Sequence, residues 1–399
     1  MSLRRWSALC SCVGGALLAA GLAAAAPAAP TPKNLLVNPG FETTAPGHPW
    51  MPAGWDTAQS GLPSVFFGRD TLSPHGGLYS ISVANVSAMI PMSHNWSQGV
   101  LVGPEAWNKD VVFSVWTRSN GLEGRAYVLL QAYRDTISKM ARVWGVEREA
   151  AASRLNINPI DDPLVPLGWK RQFFSENETG WVRREVRVYV PPSVNLLFVR
   201  CGLIGTGQVM FDDASLTLEP AAAAAPLPPN TNLLPDPGFE GNGDLWEYSL
   251  PPYEGLHVER DSTVAHSGKA SLWLEGHNGM ISSRAGACQV FCNRTLSGKR
   301  VRASAYLKTD SLKSTAFLKI YCHGLYGVKA FPSDPTYSGN TPWTQSALEV
   351  DVPEDTYSIW VWFLYNTPGE GRVHFDDTSF EVLGPVTNPE PKAKAPPKR

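Results

Sequence analysis

Two passages of this chain are written twice. Asn34-Leu-Leu-Val-Asn-Pro-Gly-Phe-Glu42 returns as Asn232-Leu-Leu-Pro-Asp-Pro-Gly-Phe-Glu240, and Phe211-Asp-Asp-Ala-Ser215 returns as Phe375-Asp-Asp-Thr-Ser379. A duplicated opening and a duplicated close bracket two tandem domains of one kind. Asn34 and Asn232 stand 198 positions apart but Asp212 and Asp376 only 164, so the first copy carries about 34 more residues in its second half. Each copy is long enough to bury a core of its own.

Pro220-Ala-Ala-Ala-Ala-Ala-Pro-Leu-Pro-Pro229 cannot continue a strand and has few apolar side chains to pack, so it reads as a linker. The expected organisation is a first domain over 34–219, a linker over 220–231, a second domain over 232–384, and a Pro/Lys tail over 385–399. Within each copy, short β-branched or aromatic runs alternate with Gly, Pro, Asn and Asp, as in Val111 to Thr117, Tyr127 to Tyr133, Ala316 to His323 and Ser358 to Leu364. This pattern predicts an all-β chain of two tandem β-sandwiches. Ser138 to Leu155 instead repeats its apolar residues at helical intervals, so a short helix is expected there, covering a sheet edge or reshaping a binding surface.

The N-terminus has the layout of an export signal: Arg4 and Arg5, an apolar run centred on Val13 to Leu22, then small residues. Cleavage is expected after Ala25, which leaves 1–25 as a signal peptide and sends the mature protein to the periplasm or the exterior. Of the cysteines that remain, Cys201, Cys288, Cys292 and Cys322, one disulfide is expected, Cys292 with Cys322 or Cys288 with Cys292. A formal charge of −2, with 43% hydrophobic and 10% aromatic residues, favours neither nucleic acid nor an anionic membrane as partner.

The Asn-Leu-Leu-x-Asn/Asp-Pro-Gly-Phe-Glu opening, the steps His75-Gly-Gly-Leu-Tyr-Ser80 and His266-Ser-Gly-Lys-Ala-Ser271, and the Phe-Asp-Asp close resemble those of carbohydrate-binding modules of families 4, 9 and 22. The resemblance implies a jelly-roll sandwich of the galactose-binding-like type, with one structural Ca2+ in each module. It assigns Glu42, the carbonyls of Gly40 and Leu78, and Asp212 to the metal in the first copy, and Glu240, Gly238, Lys269 and Asp376 in the second. Alternation along the strand does not settle whether Asp212 or Asp213, and Asp376 or Asp377, turns to the metal. The alternative is that these carboxylates close loops by hydrogen bonding. Calcium coordination by six to eight oxygens suits such a donor set.

In such modules sugar rings pack their C–H faces on flat aromatic side chains while amides and charged groups meet the hydroxyls. The candidates are Trp96, Trp107, Trp116, Gln131 and Tyr133 in the first copy, and Trp273, Tyr306, Tyr321, Trp343, Trp360 and Trp362 in the second. Trp360 and Trp362 share one face of a strand, as do Gln131 and Tyr133. A nucleophile elbow, a His-Glu-x-x-His helix and a phosphate loop are all missing from the sequence. The acidic pairs Asp161 with Asp162 and Glu176 with Glu178 do not establish a two-carboxylate glycosidase site. The expected function is therefore a secreted, non-catalytic polysaccharide-binding protein. The alternative is an extracellular structural or protein-interaction protein with cell-surface or enzyme partners.

Overall fold

The computed structural model describes residues 32–58, 61–87, 93–155, 164–241, 245–249, 256–276, 284–366 and 370–386. The expected signal peptide, Asp161 and Asp162, and nearly all of the Pro/Lys tail lie outside the described residues. In chain order the first copy runs β1 (Thr44–Ala45), β2 (His48–Pro52), β3 (Asp56–Ala58), β4 (Val65–Asp70), β5 (Ser80–Asn85), β6 (Ser93–Leu101), β7 (Lys109–Arg134), α1 (Thr136–Trp144), α2 (Arg148–Leu155), β8 (Val165–Phe174), β9 (Val182–Val190) and β10 (Leu196–Pro220). The second runs β11 (Glu247–Ser249), β12 (Leu256–Asp261), β13 (Ser271–Gly276), β14 (Arg284–Phe291), β15 (Lys299–Gly324), β16 (Gly327–Pro332), β17 (Tyr337–Asp351), β18 (Thr356–Asn366) and β19 (Gly371–Pro385).

All pairings within these sheets are antiparallel, and the longest strands serve both layers of a sandwich. The first half of β7 pairs with β9 and the second half with β8, while β10 lies along both halves. Between the halves the strands bend where Gly124 faces Gly205 in the ladder. Both glycines have positive φ, 113° and 104°, and a β-carbon on either would collide with a carbonyl of the opposing strand, so only glycine fits this crossing. The second copy repeats the plan, with β15 spanning both layers against β19 at one end and β18 at the other.

Alternation places Val111, Phe113 and Val115 inward on β7, where they meet Ile81, Val83, Trp96, Val199 and Phe211 in one core. A separate core forms around Phe239, Trp246, Leu274, Ile320, Val361, Phe363 and Phe375. The duplicated asparagine explains why each copy opens as it does. Asn34 donates to Ala214 O and accepts from the amides of Leu36 and Leu216, and Asn232 does the same with Thr378, Leu234 and Phe380. The first segment of each copy is thereby fastened to its last strand.

The expected helix is two helices. Asp135 caps α1 by accepting from the Ser138 amide, and Gly145, at φ 62°, ends it. Ile137, Ala141 and Ala151 form a small cluster against Leu101 at the end of β6. The linker is tied down on both sides: Ala222 N donates to Asp110, while Arg294 and Asn293 donate to the carbonyls of Ala222 and Ala225. Residues from Lys33 onward form one compact unit that contains both sandwiches.

The expected disulfide is corrected, because Cys201, Cys288, Cys292 and Cys322 are all free thiols. Four residues of extended chain, ~13 Å, separate Cys288 from Cys292. Phe291, beside Cys292, pairs with Ile359 from one side and Cys322 pairs with it from the other. That places them two strand spacings apart, about 9–10 Å, outside disulfide reach.

Candidate functional site

Two constellations gather the chemistry of this protein. The first is a loop closure built identically in both copies from the repeated motifs. Glu42 Oε1 accepts from the amides of Leu78 and Tyr79, and Glu240 Oε1 from those of Lys269 and Ala270. Asp212 Oδ2 accepts from His75 N at 2.7 Å and Gly76 N at 3.1 Å, and Asp376 Oδ2 accepts from His266 N and Ser267 N at the same distances. The next aspartate does something else. Asp213 Oδ2 lies 2.6 Å from His75 Nδ1, and Asp377 Oδ2 lies 2.6 Å from His266 Nδ1.

The division of labour within each Asp-Asp pair comes from the backbone. Asp213 and Asp377 both sit at φ 45°, next to irregularities in strand register at Asp212 to Ser215 and Ser304 to Tyr306. The first aspartate of each pair is thereby turned inward to full burial, and the second outward to its histidine. Burial pushes the Asp212 carboxyl up to about 6, and Asp376 shifts in the same direction for the same reason. Gly77 and Gly268, at φ 62° and 64°, let the glutamate approach, since a β-carbon on either would strike its carboxylate.

Glu42, Asp212, Gly40 and Leu78 thus come together, as do Glu240, Asp376, Gly238 and Lys269. A β-carbon on Gly238 would stand 3.8 Å from Asp376 Oδ1 and 3.9 Å from Glu240 Oε1. Leu78 and Lys269 turn their amide N–H groups to the glutamate. Among the described residues, Glu42 Oε2 and Glu240 Oε2 accept no hydrogen bond. The donor set of hard oxygens fits a hard cation. No group of three or more His, Cys, Asp or Glu side chains among the described residues forms a metal-binding array, so carbonyl or water oxygens would complete any coordination.

At this closure an aromatic ring occupies the matching position of each copy. Trp116 stacks on His75 at 4.0 Å, and Tyr306 stacks on His266 at 3.7 Å. Trp181 and Trp343 complete the two clusters edge-on.

The second constellation lies on the outward face of one layer in each sandwich. On β18, Trp360 and Trp362 stack with ring centres 6.0 Å apart. Tyr321 pairs directly with Trp360 across the ladder, and His323 lies beside it with its ring 5.7 Å from Trp360. Together with Leu364, and with Leu164 and Pro166 from the first copy, they line a cavity of about 380 Å³. His323 Nδ1 is buried with no hydrogen-bond partner. Burial holds its pKa down at about 4, so the ring is neutral near pH 7.

The matching face of the first copy is filled by its own side chains. Gln131 Nε2 donates to Tyr133 Oη at 2.6 Å, and Arg200 Nε donates to Gln131 Oε1 at 2.9 Å and Nη1 to Asn95 Oδ1 at 3.4 Å. Tyr127 is bonded to Ser93.

The two sandwiches meet along this face. Trp169 of β8 packs edge-on against Trp360 at 4.9 Å and donates its amide to Cys292 Sγ at 3.1 Å. Arg171 pairs with Glu247 at 2.6 Å, both side chains about 15% exposed or less. Arg125 donates to Trp246 O and lies over the rings of Phe173 and Tyr248.

Of the remaining candidates, Trp96 is corrected. It is fully buried in the first core and donates to Ser82 O, so no ligand reaches it. Trp107 donates to Val194 O and packs on the same core. Trp273 lies in the opposite layer, stacked on His257 under Arg372. Leu164, Pro166, Trp169 and His323 were not among the aromatic candidates. For His323 a signal was present, because Gln131 and Tyr133 on β7 correspond to Tyr321 and His323 on β15. For the other three there was none, since they come from the other copy.

The strand order defines two tandem antiparallel β-sandwiches. No protein-family model matches the chain, and no curated protein matches it. Among solved structures it is similar to the tandem CBM22-1–CBM22-2 domain from Paenibacillus barcinonensis Xyn10C, with 14% identity, 90% of this chain and 100% of that chain covered, and a TM-score of 0.30. It is also similar to the C-terminal family 22 carbohydrate-binding module of Clostridium thermocellum Xyn10B, with 19% identity, 38% and 93% covered, and a TM-score of 0.30. A third similarity is to TmCBM61 in complex with β-1,4-galactotriose, with 17% identity, 47% and 99% covered, and a TM-score of 0.28.

Proposed function

We propose that this protein is a secreted, non-catalytic polysaccharide-binding protein. The observation that carries the reading is the cavity walled by Trp360, Trp362 and Tyr321. Flat rings receive the C–H faces of sugars. No helix among the described residues is long and apolar enough to cross a membrane. Glu178, one of the acidic residues weighed for catalysis, is held by Arg184 at 2.5 Å, an arrangement that closes a loop.

The mature chain from Ala26 should be retained by one class of glycan in affinity electrophoresis and pull-down. Trp360→Ala and Trp362→Ala should each abolish retention while leaving the far-UV circular dichroism and melting temperature close to wild type. Retention by no glycan would transfer the reading to a structural or protein-interaction role.

Each loop closure is further proposed as a Ca2+ site held by Glu42 and Asp212, and by Glu240 and Asp376. A cation there would neutralise a carboxylate that burial otherwise drives toward protonation. Chelation should lower the melting temperature and added Ca2+ should restore it, because a ligand bound only to the folded state stabilises it. An unchanged melt would leave the closure as hydrogen bonding alone.

A further inference from the structure

The cavity belongs to neither sandwich alone. Its floor is Trp360, Trp362 and Tyr321 of the second copy, while Leu164 and Pro166 of the first supply part of the wall. Trp169 of the first copy meets Trp360 edge-on and holds that ring in place. On the equivalent face of the first copy Gln131 and Tyr133 are 3% and 8% exposed and bonded to each other, and Arg200 donates to Gln131.

We propose that the two sandwiches share one binding site at their seam, and that it takes a short stretch of a single glycan chain. This rests on the polysaccharide-binding reading and adds to it the stoichiometry and the contribution of the first copy. The volume, about 380 Å³, falls in the ~300–1,000 Å³ range of small-ligand sites. Stacked indoles give the floor its affinity for sugar faces. Tyr321 adds a phenol to the lining, whose hydroxyl can both donate to and accept from a sugar hydroxyl.

Arg171 and Glu247 at the seam pair with each other, whereas Lys319 stands opposite Trp362 on the neighbouring strand with its ammonium over the ring of Tyr321, so a cation stands at the edge of the lining.

The test is isothermal titration of the full mature chain with cello-, xylo-, manno- and β-1,4-galacto-oligosaccharides and with oligogalacturonate. The expected result is binding of one of these oligosaccharides with one site per chain. Leu164→Asp and Trp169→Ala in the first copy should then weaken it at least ten-fold, as Trp362→Ala does in the second. Pro166→Ser serves as the milder wall variant, and an unchanged far-UV circular dichroism spectrum with a cooperative thermal melt certifies the fold of each.

Two sites per chain, or one site indifferent to Leu164→Asp and Pro166→Ser, would overturn the shared site and leave polysaccharide binding standing. No binding of any probe would bring down the shared site and the polysaccharide reading together.

Discussion

His323, in the lining of the proposed site, is a residue whose burial ties stability to pH. Its imidazole is buried beside Trp360 with one nitrogen unpartnered, and desolvation lowers its pKa from 6.5 to about 4. Above pH 6.5 the ring is neutral in both folded and unfolded chains. As pH falls below 6.5 the unfolded chain takes up a proton that the folded chain refuses, so stability is lost progressively until about pH 4. The urea midpoint should therefore fall between pH 7.5 and pH 5, and His323→Gln should shrink that difference. A midpoint whose pH dependence is the same in the variant would remove His323 from the account. Other single residues were legible from the repeat itself. Asn34 and Glu42 recur because each fastens a loop to a strand, a task defined within one copy. The roles of Asp212 and Asp213 were not legible, because a positive φ at Asp213 breaks the alternation on which strand reading depends.

At the scale of elements, the decisive feature is the strand that crosses from one layer to the other. The runs Val111 to Thr117 and Tyr127 to Tyr133 read as two strands, yet they are the two halves of β7. The bend between them is built from Gly124 opposite Gly205, where the backbones approach too closely for a β-carbon. Gly205→Ala should cost about 1–3 kcal/mol through strain at positive φ, measured as a lower urea midpoint. An unaffected midpoint would mean that the crossing relaxes around the added methyl. Strand existence was readable from the β-branched runs. The continuity of β7 through Ser119 to Gly124 was not, since polar and glycine residues there look like a turn. The helical insertion was visible by its period, while its break at Gly145 follows from a left-handed cap.

For the whole molecule the question is what joins the sandwiches. A bonded linker and a seam containing a half-buried ion pair make one compact unit. Arg171→Leu would leave the half-buried Glu247 carboxylate unpaired and should destabilise the chain by about 1–3 kcal/mol, whereas Arg171→Leu with Glu247→Leu should recover most of the loss. Chemical denaturation of the three proteins checks this. Equal stability in all of them would mean that water reaches the pair. Additivity of the two changes would mean that the residues do not interact.

The sequence by itself determined the duplication, the all-β sandwiches and the residues that close each loop, because these depend on short-range patterning and on a motif repeated within each copy. Only the tertiary structure decided that Trp96 is core, that the four cysteines stay apart, and that Trp360 and Trp362 share a cavity with Leu164 and Pro166. Burial depends on which face of a strand meets another layer, and a seam depends on contacts between residues far apart in the chain. Neither quantity is written in the local spacing of residues.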